Sequence, residues 1–503
     1  MKQGCQGMNI KEVVRRNRIY VDYFCIPTHN GRRDTIMEVF GIVLSLFLLM
    51  YMAYLGFSVI LFSPIFALLA AVMQGMPLMP SYTELFMAKA VGYVKIYFPI
   101  FMLGAVFGKV MEDTLLAKGI STAIMQKLGM KRAILAVVLS CAILTYGGVS
   151  LFVVVFAVYP FAAALFKEAN IPKRLVPGTI ALGSFTFTMD AFPGSPQIQN
   201  IIPTNFYGTT GYAAPIAGLV GGTAIFIVGM LWLEWRRRQA FSRGEGYGDH
   251  TLNEPGPASA DQVLPKWYIG VLPLLAVLII NYFLSRVYTW DPNGLAALAG
   301  MKLPLMAPAV KNVIGIWSLI IALVAGLVLA LALGFKNIPK GGGLQKALNT
   351  GAIGSLLAIM NTASEVGYGN VIAALPGFKS IASALLGIQI GGTPLVSEAV
   401  SVTTLAGITG SASGGMSIAL DLMSKDWLAW ANSIGMSPEI LHRVASMASG
   451  GCDTLPHNGA VITLLAVCGL THKQSYPDIG MITIIKTSAV FLVILLYTLT
   501  GLY

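Results

Sequence analysis

The sequence predicts an all-α polytopic membrane protein with two inverted repeats of about five transmembrane helices, each with one re-entrant hairpin and one broken helix. Three observations lead to this prediction: the chain is strongly apolar, its apolar runs are long enough to cross a bilayer, and one order of breaks occurs twice. Of the 503 residues only 11% are charged, and the mean hydropathy is +0.73. Soluble proteins carry roughly 25% charged residues. A large soluble protein is therefore disfavoured, because nothing in the chain would cover so much apolar surface.

Apolar runs recur along the whole chain, and several reach the ~20 residues that a spanning helix needs. The longest polar stretch, 236–266, is rich in Gly, Pro, Arg and Asp and predicts a cytoplasmic linker. It separates a first membrane repeat at 38–235 from a second at 267–503, and residues 1–37 form a polar, basic N-terminal extension. The runs fall at 38–55, 57–73, 92–111, 133–166, 175–202, 212–235, 267–285, 311–335, 349–375, 381–430, 441–470 and 480–503.

The two halves repeat the same order of features. TYGGVSLFVVVFAVYP (145–160) and TGSASGGMSIALDL (409–422) each open an apolar helix after a Gly/Ser-rich break. Some twenty residues later each half starts a further helix beside a proline, and each of those helices then breaks, at DAFPGSPQIQN (190–200) and at CDTLPHNGA (452–460). The letters match weakly, so the order of the features is the stronger indication of an internal repeat.

Loop charges test this topology. With 236–266 in the cytoplasm and re-entrant hairpins at 133–166 and about 393–430, most loop Lys and Arg residues fall on the cytoplasmic side. Each half then has five crossings, an odd number, so the halves are inverted, as in secondary transporters. The same count places residue 38 outside, on the wrong side for the basic tail, and a natural start at Met37 would remove that conflict.

Peptides that break a helix inside a membrane need a reason, because unpaired backbone N–H and C=O groups cost several kcal/mol each in hydrocarbon. The two hairpin tips and the two helix breaks are therefore predicted to meet at one place and to bind a ligand there. Half-helix N-termini present free N–H groups and a partial positive charge, which suit a carboxylate. The predicted substrate-binding residues are Thr145, Gly147, Gly148, Ser150, Ser195, Gln197, Asn200, Thr409, Ser411, Ser413, Gly414, Thr454, His457 and Asn458.

Acidic residues inside apolar segments are the candidates for carrying a proton, because burial disfavours the charged form of a carboxyl group. The predicted proton-coupling residues are Asp190, Asp453, Glu365, Glu398 and His457. Each acid could instead cap a helix N-terminus or pair with a nearby cation, and His457 could donate a structural hydrogen bond. Sodium coupling also stays open, because unwound carbonyls and hairpin hydroxyls could hold Na⁺.

Other classes of function are disfavoured. The net charge of +11 lies in short loops between apolar runs and indicates no nucleic-acid partner. The five cysteines form no CxxC pair, which indicates neither a metal site nor a disulfide framework. HExxH is absent, and no GxSxG is placed at a strand-to-helix turn, so we expect no enzyme activity and no cofactor. A channel is disfavoured because no repeated pore loop or charged ring occurs.

At these residues the sequence resembles the gluconate:proton symporter (GntP) family of the ion transporter superfamily, in its citrate-type branch. The resemblance covers about residues 38–503. It is carried by SLFVVVFAVYPFAAALFKEANIPKRLVPGTIALGSFTFT, PGSPQIQNIIPT and GGCDTLPHNGAVITLLAVCGLTHKQSYPDI. It implies a multi-pass inner-membrane carrier that takes up an organic carboxylate with protons. It also implies a homodimer and an elevator motion of a transport half against a scaffold.

The second break departs from the gluconate carriers in carrying CDTLPHNG, and Asp190 within TFTMDAFPG departs from them as well. Gluconate itself is therefore one of several open substrates. Citrate, another hydroxy acid and a short-chain acid such as 3-hydroxybutyrate are the others.

Overall fold

The computed structural model describes residues 33–55, 57–254, 264–301, 309–338, 341–409, 411–456 and 458–503. Within those ranges the regular elements are helices and no β-strand occurs, which confirms the predicted all-α class. Only the last residues of the predicted N-terminal extension, from Arg33 onward, fall inside the described part, and they begin the first helix.

The first part of the chain is helical up to the linker. A π-helical segment, Ser81–Met87, joins two of its helices, and a 3₁₀ turn lies at Met130–Arg132. The α-helices are α1 (Arg33–Tyr54), α2 (Val59–Met73), α3 (Leu78–Pro80), α4 (Ala88–Asp113), α5 (Leu116–Leu128), α6 (Ala133–Tyr146), α7 (Leu151–Glu168), α8 (Leu175–Ser184), α9 (Ile198–Tyr207) and α10 (Pro215–Ser242).

The second part of the chain continues in the same way. A π-helical segment follows at Phe283–Val287, and 3₁₀ turns lie at Val310–Asn312, Phe335–Asn337, Ile390–Gly392 and Gly451–Thr454. The α-helices are α11 (Trp267–Tyr282), α12 (Ala296–Gly300), α13 (Ile314–Gly334), α14 (Gly343–Ala374), α15 (Phe378–Leu386), α16 (Leu395–Thr409), α17 (Ala412–Ser433), α18 (Pro438–Gly450), α19 (Gly459–Cys468) and α20 (His472–Thr500).

Five helical stretches in the described part are long and apolar enough to cross a membrane. Two further pairs pass the same test together and are bent sharply, by 105° between α5 and α6 and by 95° between α14 and α15. Length and composition therefore indicate five to seven spans, beside shorter apolar helices that break inside the protein. The inverted relation of the two halves remains a prediction.

Two helical hairpins turn where the Gly/Ser-rich sequences predict tips. In the first, α6 ends at Tyr146 and α7 begins at Leu151; in the second, α16 ends at Thr409 and α17 begins at Ala412. Gly148 adopts φ of +100°, and the Cβ that another residue would carry there would lie 3.3 Å from Pro196. Only glycine takes this conformation without strain.

Two helices are interrupted at the predicted breaks. Between α8 and α9 the chain runs through Pro193, Gly194 and Pro196, and between α18 and α19 it runs through one 3₁₀ turn. Proline removes a backbone donor, and Gly194 has φ of +83°, so a helix cannot continue through the first break. Its backbone finds partners inside the protein: Met189 N donates to Thr186 O over 2.7 Å, and Gly194 N donates to Gly211 O over 2.8 Å.

The helices pack in two connected groups. The first group sets α14 along α4 and α2, and pairs α11 with α13. The second surrounds the interrupted helices, where α18 contacts α9, α16, α17 and α20, while α6 and α7 contact α8. Helices α14 and α17 are in contact, so hairpin 2 (α16 and α17) touches both groups.

Of the predicted linker, the structure describes residues 236–254 and 264–266. Helix α10 continues to Ser242, and the residues that follow pack on the helical body. Arg174 forms two hydrogen bonds to Glu245, of 2.6 and 2.9 Å, and these bonds lower the pKa of the Glu245 carboxyl. The buried Lys173 Nζ lies 2.8 Å from Glu254 Oε1, and Tyr159 donates to Asn253 O. Residues 243–254 are therefore part of the folded body.

We expect Gly415→Ala to destabilise the protein, because the two arms of hairpin 2 touch at this glycine. A Cβ on Gly415 would lie 2.1 Å from Ala406 Cα and 2.2 Å from its N, and backbone atoms cannot move aside easily. Overpacking costs typically about 1–3 kcal/mol. Thermal unfolding of the purified protein in detergent measures the loss as a lower Tm.

Gly354→Ala is the matched control, because a Cβ there meets nothing within 4 Å and the residue lies inside α14. It should leave Tm unchanged or raise it slightly, since alanine favours a helix over glycine by about 0.5–1 kcal/mol. Equal Tm values for the two variants would contradict the contact between the hairpin arms.

Candidate functional site

The tip of the first hairpin is bound to the first break by side chains of that break. Gln197 Nε2 donates to Thr145 O over 2.7 Å and to Val149 O over 3.2 Å. Tyr146, at the end of α6, donates from its hydroxyl to Pro193 O over 2.6 Å. The last carbonyls of a helix lack intrahelical partners, and Gln197 supplies one to the end of α6.

The first break is bound in turn to the second. Gln199 Nε2 donates to Asp453 Oδ2 over 2.8 Å, and both side chains are buried. Asn458 caps α19, its Oδ1 accepting from Ala460 N over 2.7 Å. Thr454 and Thr483 form a hydroxyl pair 2.7 Å apart, which fixes the second break against α20.

Hairpin 2 completes the arrangement. Thr403 of α16 donates to Ala448 O over 3.0 Å, and Cys452 Sγ lies 3.5 Å from Thr403 O. At the tip, Ser411 caps α17 by accepting from Gly414 N. A chain of contacts thus runs from the tip of the first hairpin through both breaks to the α16 arm of hairpin 2. That this place binds a ligand stays a prediction.

Four helices begin around this chain of contacts, which we call the junction. Their first residues are Leu151 of α7, Ile198 of α9, Ala412 of α17 and Gly459 of α19. A helix N-terminus carries free N–H groups and a partial positive charge. The N-cap side chains of α7 and α9, Ser150 and Gln197, accept no capping hydrogen bond from the first turns of these helices.

Several predicted substrate-binding residues use their polar side-chain atoms in hydrogen bonds within the protein. The hydroxyls of Thr145 and Ser184 lie 2.7 Å apart, and Ser195 donates to Thr188 O. Asn200 Nδ2 donates to Ser195 O and to Gly211 O, each over 2.8 Å. All of these side chains are buried. They hold the shape of the first break, and Gln197, Ser150 and Ser411 are the more accessible candidates.

Two of the predicted substrate-binding residues of the second half have no described side chain. His457 lies outside the described residues, and of Thr409 the structure describes the backbone alone. Their predicted roles in binding the substrate, and the role of His457 in proton coupling, stay predictions. Ser413 and Gly414 lie in the first turn of α17 and are buried.

Asp190 is paired with a cation. Its Oδ2 lies 2.8 Å from Lys486 Nζ, and both side chains are almost fully buried, with at most 1% exposed. The alternative of a structural ion pair, which the sequence left open for this residue, is the arrangement found. Asp478, at the start of α20, is held in the same way by Arg174 and Arg236.

The other three acids differ from Asp190. No Lys or Arg among the described residues forms an ion pair with Asp453, Glu365 or Glu398, although all three are buried. Glu398 accepts a hydrogen bond from the Tyr207 hydroxyl at the end of α9, and its second oxygen has no partner in the described part. Glu365, on α14, is hydrogen-bonded to Ser411, and its Oε2 faces Gly414.

Four buried residues of this region escaped the sequence analysis: Gln199, His442, Arg443 and Lys486. Arg443 donates five hydrogen bonds, to the carbonyls of residues 190, 211 and 213 and to Asn200 Oδ1. His442 bonds to Thr209 and to the same Asn200 oxygen. A signal existed for two of them, because an Arg or Lys inside an apolar segment is a functional candidate by default.

The comparisons with known proteins agree on the class. No protein-family model matches the chain. The chain is 52% identical over 477 residues to the uncharacterised transporter YxjC of Bacillus subtilis (strain 168), covering 93% of this chain and 100% of that protein. The predicted membership of the gluconate:proton symporter family stays a prediction.

Two solved structures match most of the chain, and one of them reaches a TM-score above 0.5. The YdaH transporter of Alcanivorax borkumensis superposes with a TM-score of 0.51 at 13% identity, over 93% of this chain and 98% of that one. MtrF of Neisseria gonorrhoeae, an antimetabolite efflux pump, gives a TM-score of 0.45 at 12% identity, over 91% and 94% of the two chains. The likeness to YdaH shows a shared helical fold.

We expect Arg443→Lys to destabilise the protein strongly. Lysine cannot reproduce the planar fork of the guanidinium, so it cannot make all five of these hydrogen bonds. The carbonyls of residues 190 and 211 keep other donors, so the loss falls mainly on Ala213 O and Asn200 Oδ1. Hydrogen bonds to charged groups are worth about 1.5–3 kcal/mol each. A loss of roughly 3 kcal/mol or more should appear as a much lower Tm in detergent.

Arg237→Lys is the matched control, because Arg237 pairs at the surface of α10 with Glu234, three residues before it. Such pairs contribute only about 0.3–0.5 kcal/mol. If the two substitutions lowered Tm equally, Arg443 would not be holding the first break.

Proposed function

Because the chain belongs to the family of the Bacillus subtilis transporter YxjC, we propose that it takes up an organic carboxylate by proton symport. The substrate class is gluconate or a related hydroxy acid, citrate, or a short-chain acid such as 3-hydroxybutyrate. The resemblance to gluconate:proton symporters supports this class, and so do the uncapped helix N-termini at the junction. The anion would be held by these backbone N–H groups.

The observation that carries the proposal is the contrast among the buried acids. Asp190 and Asp478 each lie against a cation, whereas Asp453, Glu365 and Glu398 have no such partner in the described part of the chain. An isolated carboxylate is costly to bury, so such a group takes up a proton or binds a cation. These three acids are therefore the proposed carriers of the coupling ion.

Of the three acids, Asp453 has the position best suited to coupling proton binding to substrate binding. It lies in the second break, beside the start of α19, and its partner Gln199 lies in the first turn of α9. A proton bound to Asp453 changes the charge next to two helix N-termini. Binding of a substrate anion there is favoured when Asp453 is neutral, because a second negative charge would repel it. Proton and anion would thus be taken up together.

Sodium coupling is the alternative. The hydroxyls of Ser411 and Ser413, with the Glu365 carboxyl, are oxygen donors of the kind that Na⁺ takes at discontinuous helices. Glu365 faces the tip of hairpin 2, so a cation bound there would also join the hairpin to α14. Uptake that requires Na⁺ at fixed pH would favour this alternative.

The remaining features of the proposal follow the resemblance. The protein would lie in the cytoplasmic (inner) membrane as a homodimer and work by elevator-type alternating access. The grouping of the helices, one set packed on α14 and the other around the two breaks, is compatible with such a motion.

Uptake by purified protein in liposomes tests the proposal. Labelled gluconate, citrate and 3-hydroxybutyrate are offered under an inward proton gradient, with and without Na⁺. A gradient of about one pH unit supports roughly tenfold accumulation per proton, since one unit corresponds to 1.36 kcal/mol. We expect accumulation of at least one of the acids without Na⁺.

Asp453→Asn should abolish this accumulation while leaving exchange of labelled for unlabelled substrate across the membrane. Asparagine cannot carry the proton, but it keeps the shape and the hydrogen bond from Gln199 through its Oδ1. Asp426→Asn, at an exposed position of α17, is the control and should behave as wild type. Proton-driven accumulation by Asp453→Asn at the wild-type level would contradict the proposed role of Asp453. If wild type accumulated none of the three acids, the proposed substrate class would be wrong.

A further inference from the structure

The Lys486 ammonium lies where the two interrupted helices end. Lys486 belongs to α20, and its side chain is 1% exposed. Its Nζ donates to Phe185 O over 2.7 Å and to Gly450 O, and lies 2.8 Å from Asp190 Oδ2. Phe185 directly follows α8, and Gly450 is the last residue of α18.

The ammonium group donates to two of these oxygens and forms an ion pair with the third. A lysine has three N–H donors and no acceptor; its hydrogen bonds go to Phe185 O and Gly450 O, and Asp190 Oδ2 lies at ion-pair distance without accepting a hydrogen bond in the described part of the chain. Two of the oxygens are carbonyls at the C-terminal ends of α8 and α18, where the helix dipole is negative and a cation is favoured. The third is a carboxylate from the first break. The site is a cage of oxygens with a positive charge at its centre.

The cage leaves no room for anything but glycine at position 450. A Cβ on Gly450 would lie 1.8 Å from Asp190 Oδ2 and 2.8 Å from Lys486 Nζ. Arg443 binds the backbone carbonyl of Asp190 from the other side over 3.0 Å. The position of the Asp190 carboxylate is therefore fixed, and the only cation within contact distance of it in the described part of the chain is Lys486.

Unwound backbone carbonyls and half-helix C-terminal ends, such as the two that Lys486 binds, also hold Na⁺ in transporters with discontinuous helices. We propose that Lys486 is a built-in cation, which occupies a place that Na⁺ would otherwise take and so makes transport independent of sodium. This inference rests on the proposed proton-coupled function for its meaning in the transport cycle. The ammonium is tethered to α20, so it stays when the substrate leaves, and the coupling ion must bind elsewhere, at an acid without a cationic partner.

Lys486→Ala tests the proposal by removing the ammonium and opening the space of its side chain. The Tm of the purified variant is measured in NaCl and in choline chloride at equal ionic strength. We expect a low Tm in choline chloride and a saturable rise with Na⁺, because an ion that binds only the folded state stabilises it by mass action. Wild type should show the same Tm in both salts.

Two variants serve as controls. Lys486→Met removes the charge but fills the space with an apolar chain, so it should be destabilised without responding to Na⁺. Lys425→Ala removes an exposed lysine of α17 and should match wild type in both salts. The measurement of Tm needs no substrate, so it tests the proposal for Lys486 even if none of the tested acids is transported.

The transport arm uses the same variants in liposomes. Lys486→Ala should take up substrate only when Na⁺ is present, whereas wild type should not respond to Na⁺. The proposal is overturned if Lys486→Ala melts at one temperature in both salts or is unfolded in every salt. It is also overturned if Na⁺ stabilises wild type at fixed ionic strength.

Discussion

Breaking a helix inside a membrane leaves backbone groups that lipid cannot bind, and the arrangement around the two breaks follows from the need to pair them. Carbonyls are the larger problem here, because both α8 and α18 end within the protein. Side chains with several N–H donors bind these carbonyls. Gln197 donates to the end of α6, and Lys486 donates to the ends of α8 and α18. Arg443 donates to the chain between the first break and α10. Arg443 and Lys486 are buried, so their bonds are not shared with water, whereas Gln197 is partly exposed.

These donors also join the two halves of the chain. Arg443 and Lys486 belong to α18 and α20, while the carbonyls and the carboxylate that they bind at residues 185, 190, 211 and 213 belong to the first half. Gln199 and Asp453 make the same kind of link between the breaks. Removing one partner of a buried charged pair costs about 3–5 kcal/mol, because the other is left uncompensated. The two interrupted helices are thus expected to move as one body.

Much of this was readable in the sequence. Composition gave the membrane class, and glycine and proline at 145–150, 190–200, 409–415 and 450–460 marked tips and breaks, because those residues act on the backbone locally. The partners of the breaks were not readable in this way. Lys486 lies 296 residues after Asp190, and the same apolar run would accommodate a snorkelling lysine at its end just as well. Choosing between the two requires the packing of α20 against α8 and α18, which no local pattern encodes.

The distribution of buried charge suggests different roles for the tethered cation, the Lys486 ammonium, and for an exchangeable cation that binds and leaves during transport. A buried carboxylate beside a tethered ammonium has its charge compensated by that cation, and Asp190 is such a group. A buried carboxyl without a tethered partner has two low-energy states, protonated or bound to a mobile cation, and the change between them alters the local charge by one. Asp453 lies in a break, Glu365 faces a hairpin tip and Glu398 bonds the end of α9. In the proposed cycle the fixed cation keeps the interrupted helices together in every state, and the exchangeable one sets when the site accepts an anion.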